Sequence, residues 1–429
     1  MRRLLALSLL AGCASAPGPH RFFKITVVDR ATGRGVPLVE LITTHSARYV
    51  TDSAGVIAFD EPDGRVWFTI KSHGYSHKKD GFGFEGVALD TLPGGSARVE
   101  IDRVNIAERL YRITGQGIYR DTVLCGGTAP FPAPDAGATG MDSALAILFK
   151  GRVLWFWGDT SRAAYPLGNF HASGAWSSPD DDPEIGIRLH YFTKDGFCRA
   201  MFPCDLPGPV WFDGLVVVEG KLYCHYARMK SLGEKYEHGI AEWDESTEIF
   251  RKLRELPLNE TRHPSGHPFL HDGAWHFGAP LPTMKMKPTR DALLDPARYE
   301  VAPREQQLED LETGKPVKIQ SGSVSWNAHR GKWLLFANQT WGTSMLGEIW
   351  TAEADAPAGP WSKARKIVTH DDYSFYNVVE HPFLARGRYV YFEGTYTATF
   401  SGTKVPTPRY DYNQVMYRLD LDDARLRGR

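Results

Sequence analysis

Leu145-Ala146-Ile147-Leu148-Phe149-Lys150-Gly151-Arg152-Val153-Leu154-Trp155-Phe156-Trp157 decides the fold. Apolar runs on both sides of Lys150-Gly151 fit a buried antiparallel pair, and glycine at the second turn position fits a two-residue hairpin turn. The pattern recurs four times. Leu215 to Tyr226 turns around Gly220, His267 to Phe277 around Gly273, Val324 to Ala337 around Gly331, and His381 to Phe392 around Gly387. The turn glycines follow one another at 69, 53, 58 and 56 residues. A period of that length, with one hairpin per repeat, predicts blades of four strands, and five repeats predict a five-bladed β-propeller over residues 110–425. Leu189 to Thr193, Gly239 to Trp243, Ile349 to Glu353 and Val415 to Leu421 supply outer strands. Tyr111 to Leu124 is expected to close the ring.

Upstream, residues 20–105 read as a separate β-sandwich. Phe23 to Val28 alternates like a strand, Thr32 to Pro37 is a turn cluster, and Val56 to Phe59 and Trp67 to Ile70 are further strands. The order resembles the carboxypeptidase-regulatory-like, transthyretin-type sandwich, which implies a spacer or presentation module without chemistry of its own. The expected fold class is all-β: an N-terminal β-sandwich followed by a five-bladed β-propeller.

The chain has 429 residues, 42% of them hydrophobic, and its 50 Lys+Arg against 51 Asp+Glu leave a formal charge of −1. No basic patch stands out, so no nucleic-acid partner is expected. No apolar run reaches the roughly 18 residues of a membrane span. Arg2-Arg3, the apolar Leu4 to Leu10 and Leu10-Ala11-Gly12-Cys13 resemble a bacterial signal peptide ending in a lipobox. That resemblance implies a signal and tether over residues 1–19, lipidation of Cys13, and an exported lipoprotein of the periplasm or cell surface. Ala14 after the cysteine implies outer-membrane sorting, with the lipid as the sole membrane contact. An ordinary signal cleaved near Ala14-Ser15-Ala16 is the competing reading. Cys125, Cys198, Cys204 and Cys224 match no zinc spacing; Cys198 and Cys204 either pair or stay free.

Propellers bind ligands at one mouth of the channel. Counting back from Lys150-Gly151 sets Asp142 opposite Asp159, and counting back from Arg386-Gly387 sets Glu380 opposite Glu393. Opposed Cβ atoms lie ~5 Å apart, so each pair would repel unless protonated or bridged. First and fifth blades are neighbours in a closed ring, so four candidate catalytic acids are expected to converge. Asp213, Arg262, His267, His381, Trp157, Tyr376 and Tyr396 are the expected substrate contacts, because rings beside carboxylates suit a sugar. His267 and His381 each precede Pro-Phe-Leu, a repetition that architecture also explains. Glu348 is a reserve acid. No metal and no cofactor are expected.

These repeats, the early Asp142, Trp157-Gly158-Asp159-Thr160 and Tyr412-Asn413-Gln414-Val415-Met416-Tyr417 resemble the five-bladed propeller glycosidases, and within them the endo-D-arabinanase type. The resemblance covers residues 110–425. It implies a carbohydrate substrate and hydrolysis by two carboxyl groups, with Asp142 and Asp159 as the central pair. The Glu-Gly-Pro acid motif of the arabinanase type is absent, so the general acid stays open among Asp159, Glu380 and Glu393. A non-catalytic glycan-binding lipoprotein is the main rival. A polysaccharide lyase using Arg262, His267 and Tyr376 is a third reading.

Overall fold

The computed structural model describes residues 21–61, 64–131, 136–279, 281–301 and 307–427; the expected signal peptide and Cys13 lie outside them. All five repeats form four-stranded antiparallel blades. The first contains Leu145–Phe149, Arg152–Trp157, Ser173–Ser177 and His190–Tyr191, and the second Val210–Val218, Lys221–Ser231, Glu234–Asp244 and Ile249–Leu256. The third is short: Phe269–His271, Ala274–Phe277, Met284–Met286 and Glu300–Val301. The fourth runs Ile319–Asn327, Lys332–Gln339, Ile349–Ala354 and Arg365–Val368. Positive φ at Lys150-Gly151, Glu219-Gly220 and Asp272-Gly273 makes the first three hairpin turns match the twist of their strands.

The fifth blade closes the ring with sequence from both ends of the propeller. Ser374–Glu380, Tyr389–Thr397 and Asn413–Asp420 are followed in the sheet by Glu108–Arg112, with Met416 opposite Tyr111 and Val415 opposite Arg112. The closing strand thus begins before the stretch expected from sequence, whose later part, Arg120–Leu124, is a short helix. Among the described residues no helix is long and apolar enough to cross a membrane.

Strand alternation fills both faces of each blade. In Arg152–Trp157, Trp155 and Trp157 pack with the fifth blade's Val379 and Tyr391, whereas Leu154 and Phe156 pack with the second blade's Leu222 and Cys224. Burying one such large side chain contributes roughly 1.5–3 kcal/mol. The sandwich stacks Val56–Phe59, Phe23–Asp29, Ser96–Arg103 and Tyr75–Ser76 on Arg48–Val50, Glu40–Thr43, Gly64–Lys71 and Gly86–Thr91. Ile25, Val27, Leu41, Phe68 and Ile101 form its core.

Polar side chains join sandwich and propeller. Arg109, on the closing strand, donates to the carbonyls of Pro37 (3.0 Å), Leu38 (3.2 Å) and His73 (3.0 Å) and to Ser72 Oγ (2.7 Å). Glu184 of the propeller accepts from Arg34 of the sandwich at 3.1 Å and from Arg418 at 3.0 Å. Cys125, Cys198, Cys204 and Cys224 are free thiols, so the Cys198–Cys204 pairing does not form.

Candidate active site

Asp142 sits where the first hairpin passes from Leu145–Phe149 into the short strand Ala138–Met141. Register is kept across that seam, with Leu145 opposite Phe156 and Met141 opposite Thr160, which leaves Asp142 facing Asp159. Asp142 N donates to Asp159 O at 3.3 Å, and Gly158 N donates to Asp142 O at 2.8 Å. Gly158 leaves room for that carboxylate: a Cβ on it would lie 2.4 Å from Asp142 Oδ1 and push it aside.

The two carboxyl groups have different surroundings. Asp142 Oδ2 accepts the Tyr376 hydroxyl at 2.6 Å, and the Tyr412 hydroxyl supports the same group. Burial raises the Asp142 pKa, and these donors oppose the rise by favouring the anion. Both tyrosines are held far above their usual range, by burial first and then by the Asp142 charge, so they remain neutral donors. Asp159 is pushed up to about 6 by burial and by the neighbouring Asp142, and its one opposing hydrogen bond comes from Trp211 Nε1 at 3.1 Å. Burial thus raises both acids, and the anion has more hydrogen-bond support at Asp142 than at Asp159.

The fifth-blade pair is a correction. Glu380 faces Phe392, and Val379 faces Glu393, one residue out of the expected register. Glu380 and Glu393 therefore lie on opposite sheet faces. The hairpin is not tight: Pro382–Leu384 forms a 3₁₀ turn before Arg386 pairs with Tyr389. Pro382 lacks the N–H that would continue the ladder. Glu380 is also four residues along its strand from Tyr376, about 13 Å at ~3.3 Å per residue, so the four acids do not converge. Burial pushes Glu380 up to about 7, and Ser325 bonds to it. Glu393 is wholly buried, with Oε1 2.7 Å from His381 Nε2. Glu380 lines a cavity with His267, Ser323 and Ser325, whereas Glu393 is buried with His381 against the first blade's Trp155.

Several expected substrate contacts are likewise internal. Trp157 is 1% exposed and stacks parallel to Trp155 at 6.4 Å. Tyr396 is fully buried, stacks on Tyr373 at 4.3 Å and meets His73 of the sandwich at 2.9 Å. His381 is buried on Glu393. Both faces of a blade pack on neighbours, so rings within strand bodies become inter-blade packing. His267 lines a cavity of about 210 Å³ on the propeller axis with Glu380, Ser323 and Ser325, and burial pushes it down to about 3. Asp213 Oδ1 accepts from Gly266 N at 2.7 Å, and burial raises the acid to about 7. Tyr376 binds Asp142 rather than standing free. Arg262 pairs through two nitrogens with Glu260, at 2.9 and 2.8 Å, on the loop entering the third blade. Glu348 accepts from Thr343 N at 3.0 Å and from Lys366 Nζ at 3.1 Å.

Sequence reading missed the polar frame around Asp142. Asn377 Nδ2 donates to Ser143 Oγ at 2.7 Å, and Ser321 Oγ reaches both Asn377 (3.3 Å) and Asn338 (2.6 Å). Asn413 Nδ2 donates to Thr139 O at 3.0 Å and Gln414 Nε2 to Met141 O at 3.1 Å, tying fifth blade to first. The Tyr412-Asn413-Gln414 run was visible as a motif, and its three side chains all act on the segment carrying Asp142.

No protein-family model matches the chain, and no curated protein matches it. Among solved structures it is similar to an exo-1,5-α-L-arabinanase from a bovine ruminal metagenomic library, at 12% identity over 67% of this chain and 95% of that one, TM-score 0.40. An exo-β-1,3-galactanase from Phanerochaete chrysosporium, solved with galactose, matches at 12% identity over 73% of this chain and 65% of that one, TM-score 0.41. An α-L-arabinofuranosidase from Clostridium thermocellum matches at 13% identity over 64% and 95%, TM-score 0.38. At these values the likeness is general, and the five-bladed assignment stands on the sheet order itself.

Proposed function

We propose that the protein is a glycoside hydrolase, with an arabinan-like polysaccharide or oligosaccharide as its first candidate substrate. The observation that carries the reading is the pair Asp142 and Asp159, cross-strand neighbours both raised by burial, of which Asp142 has two tyrosine donors favouring its anion and Asp159 has a single indole donor. Asp159 supplies its proton to the glycosidic oxygen as the bond to the anomeric carbon breaks. Asp142 either attacks that carbon or takes the proton of the water that does. Tyr376 and Tyr412 hold Asp142 anionic and aimed at the substrate. The arabinan preference rests on the resemblance of Trp157-Gly158-Asp159-Thr160 and the Tyr412–Tyr417 run. The deciding experiment is product release from a panel of arabinans, xylans, galactans, fructans and uronate glycans. Release of reducing ends supports hydrolysis, an unsaturated product supports a lyase, and retained binding without any product supports a glycan-binding protein.

The pH dependence follows from Asp159. As the acid it must be protonated, and its pKa near 6 means that fraction falls as pH rises through 6. Activity is expected to decline about tenfold per pH unit above that point. Asp159→Asn is expected to abolish this alkaline limb. It should retain turnover of aryl glycosides whose leaving group needs no proton. A pH–rate profile of both proteins reads this directly, and an unchanged alkaline limb in the variant would remove Asp159 from the acid role.

We further propose export and anchoring through a lipid on Cys13, supported by the Leu10-Ala11-Gly12-Cys13 motif. Cys13→Ala is expected to move the protein from the membrane to the soluble fraction on cell fractionation. A variant still wholly membrane-bound would oppose lipidation.

A further inference from the structure

Between the second and third blades, three histidines meet that the proposed hydrolysis does not use. His225 lies on Lys221–Ser231, His238 on the neighbouring Glu234–Asp244, and His263 on the loop that enters the third blade. One ring nitrogen of each lies within 4.8 Å of the other two, the one such group among the described residues. His225 is 5% exposed, His238 is fully buried, and the His263 ring stacks on His225 at 3.5 Å.

The surrounding hydrogen bonds fix which nitrogens are bare. His238 Nε2 is 2.8 Å from Pro257 O, and His263 Nδ1 is 3.0 Å from Pro264 O. A carbonyl only accepts, so each of those nitrogens carries the hydrogen. That puts the lone pairs on His238 Nδ1 and His263 Nε2. His238 Nδ1 accepts from His225 Nε2–H at 3.0 Å, a hydrogen that moves to His225 Nδ1 when an ion takes its place. Backbone carbonyls that hold the far N–H of an imidazole are the usual orienting partners of metal-binding histidines. Two of the three rings have one.

We propose that His225, His238 and His263 form a binding site for a zinc-type divalent transition ion. Three imidazoles and no carboxylate exclude calcium and magnesium, which take oxygen ligands. Zn–N bonds of about 2.0–2.1 Å in tetrahedral geometry place ligand nitrogens about 3.3 Å apart, so nitrogens now within 4.8 Å of one another draw together and the His263 ring turns out of its stack on His225 to aim at the ion. A water completes the fourth position. The ion joins two strands of the second blade to the crossover loop that carries Gly266, whose N–H bonds to Asp213. Its role is to fix that loop beside the cavity that Gly266 and His267 line, and it takes no part in the hydrolytic step.

The test uses the full mature chain without a histidine tag, stripped by chelator and titrated with Zn²⁺ and then Co²⁺. One equivalent is expected to remain after gel filtration, and the cobalt form should show tetrahedral d–d bands without a thiolate charge-transfer band. X-ray absorption at the zinc edge should count three imidazoles. His263→Gln, on the most accessible of the three, should bind at least 100-fold more weakly and lose the rise in thermal midpoint that Zn²⁺ gives the wild type. Substoichiometric zinc, or fewer than three imidazoles on the wild-type ion, would overturn the site without any variant. So would a folded His263→Gln protein that binds zinc as the wild type does.

Discussion

Asp142→Asn is expected to lower glycoside hydrolysis by at least ~10³-fold while the protein remains folded. The substitution keeps the shape of the side chain and leaves an amide oxygen to accept the Tyr376 hydroxyl, now 2.6 Å from Asp142 Oδ2. What it removes is the negative charge. Neither nucleophilic attack nor proton removal from water is open to an amide, so the loss falls on kcat. A second effect identifies the residue beyond simple inactivation. Asp159 is raised partly by the Asp142 charge, so with that charge gone its pKa falls. Residual activity should therefore lose its alkaline limb at lower pH than the wild type does. Tyr376→Phe should lower activity by less, because Tyr412 still supports the carboxylate, and should leave the alkaline limb near its wild-type position, because the Asp142 charge remains. Activity within tenfold of wild type in Asp142→Asn would remove it from the chemistry.

The propeller was legible because its hairpins are local. Apolar alternation and a Gly-containing turn are set within about a dozen residues, so Leu145 to Trp157 announces its own register, and Asp142 falls opposite Asp159 as counted. The same count failed in the fifth blade for a reason also local: His381-Pro382-Phe383-Leu384 makes a 3₁₀ turn that widens the hairpin. Proline after histidine was in plain view, and its missing N–H was the signal overlooked. What no local pattern could give was convergence of distant segments. Tyr412 reaches Asp142 because the fifth blade closes on the first. His238 and His263 meet because a crossover loop folds back over the second blade. Nor does alternation say which rings reach the mouth, since Trp157 and Tyr396 are each as apolar in pattern as a sugar platform would be, yet lie inside.

Arg109→Met is expected to destabilise the protein by about 3–5 kcal/mol, measured as a fall in the denaturant midpoint followed by tryptophan fluorescence. Arg109 is 1% exposed, and its guanidinium is bonded to three backbone carbonyls and Ser72 Oγ rather than to a carboxylate. Methionine approximates its length and apolar stem, so little packing is lost, and the cost isolates the donors. Each carbonyl of Pro37, Leu38 and His73 left unpaired costs about 1–3 kcal/mol, reduced wherever water enters. Arg109→Lys keeps the charge but has a single nitrogen for four acceptors, and should fall between the two. The position makes the effect larger than its hydrogen bonds alone suggest. Glu108–Arg112 closes the propeller ring against Asn413–Asp420, so the same residue anchors the sandwich and the strand that completes the fifth blade. Loosening it frees both, and unfolding of the two parts should separate into two transitions where one is expected of the wild type. A midpoint unchanged in Arg109→Met would mean that water replaces the guanidinium without cost, and that the ring is closed by strand pairing alone.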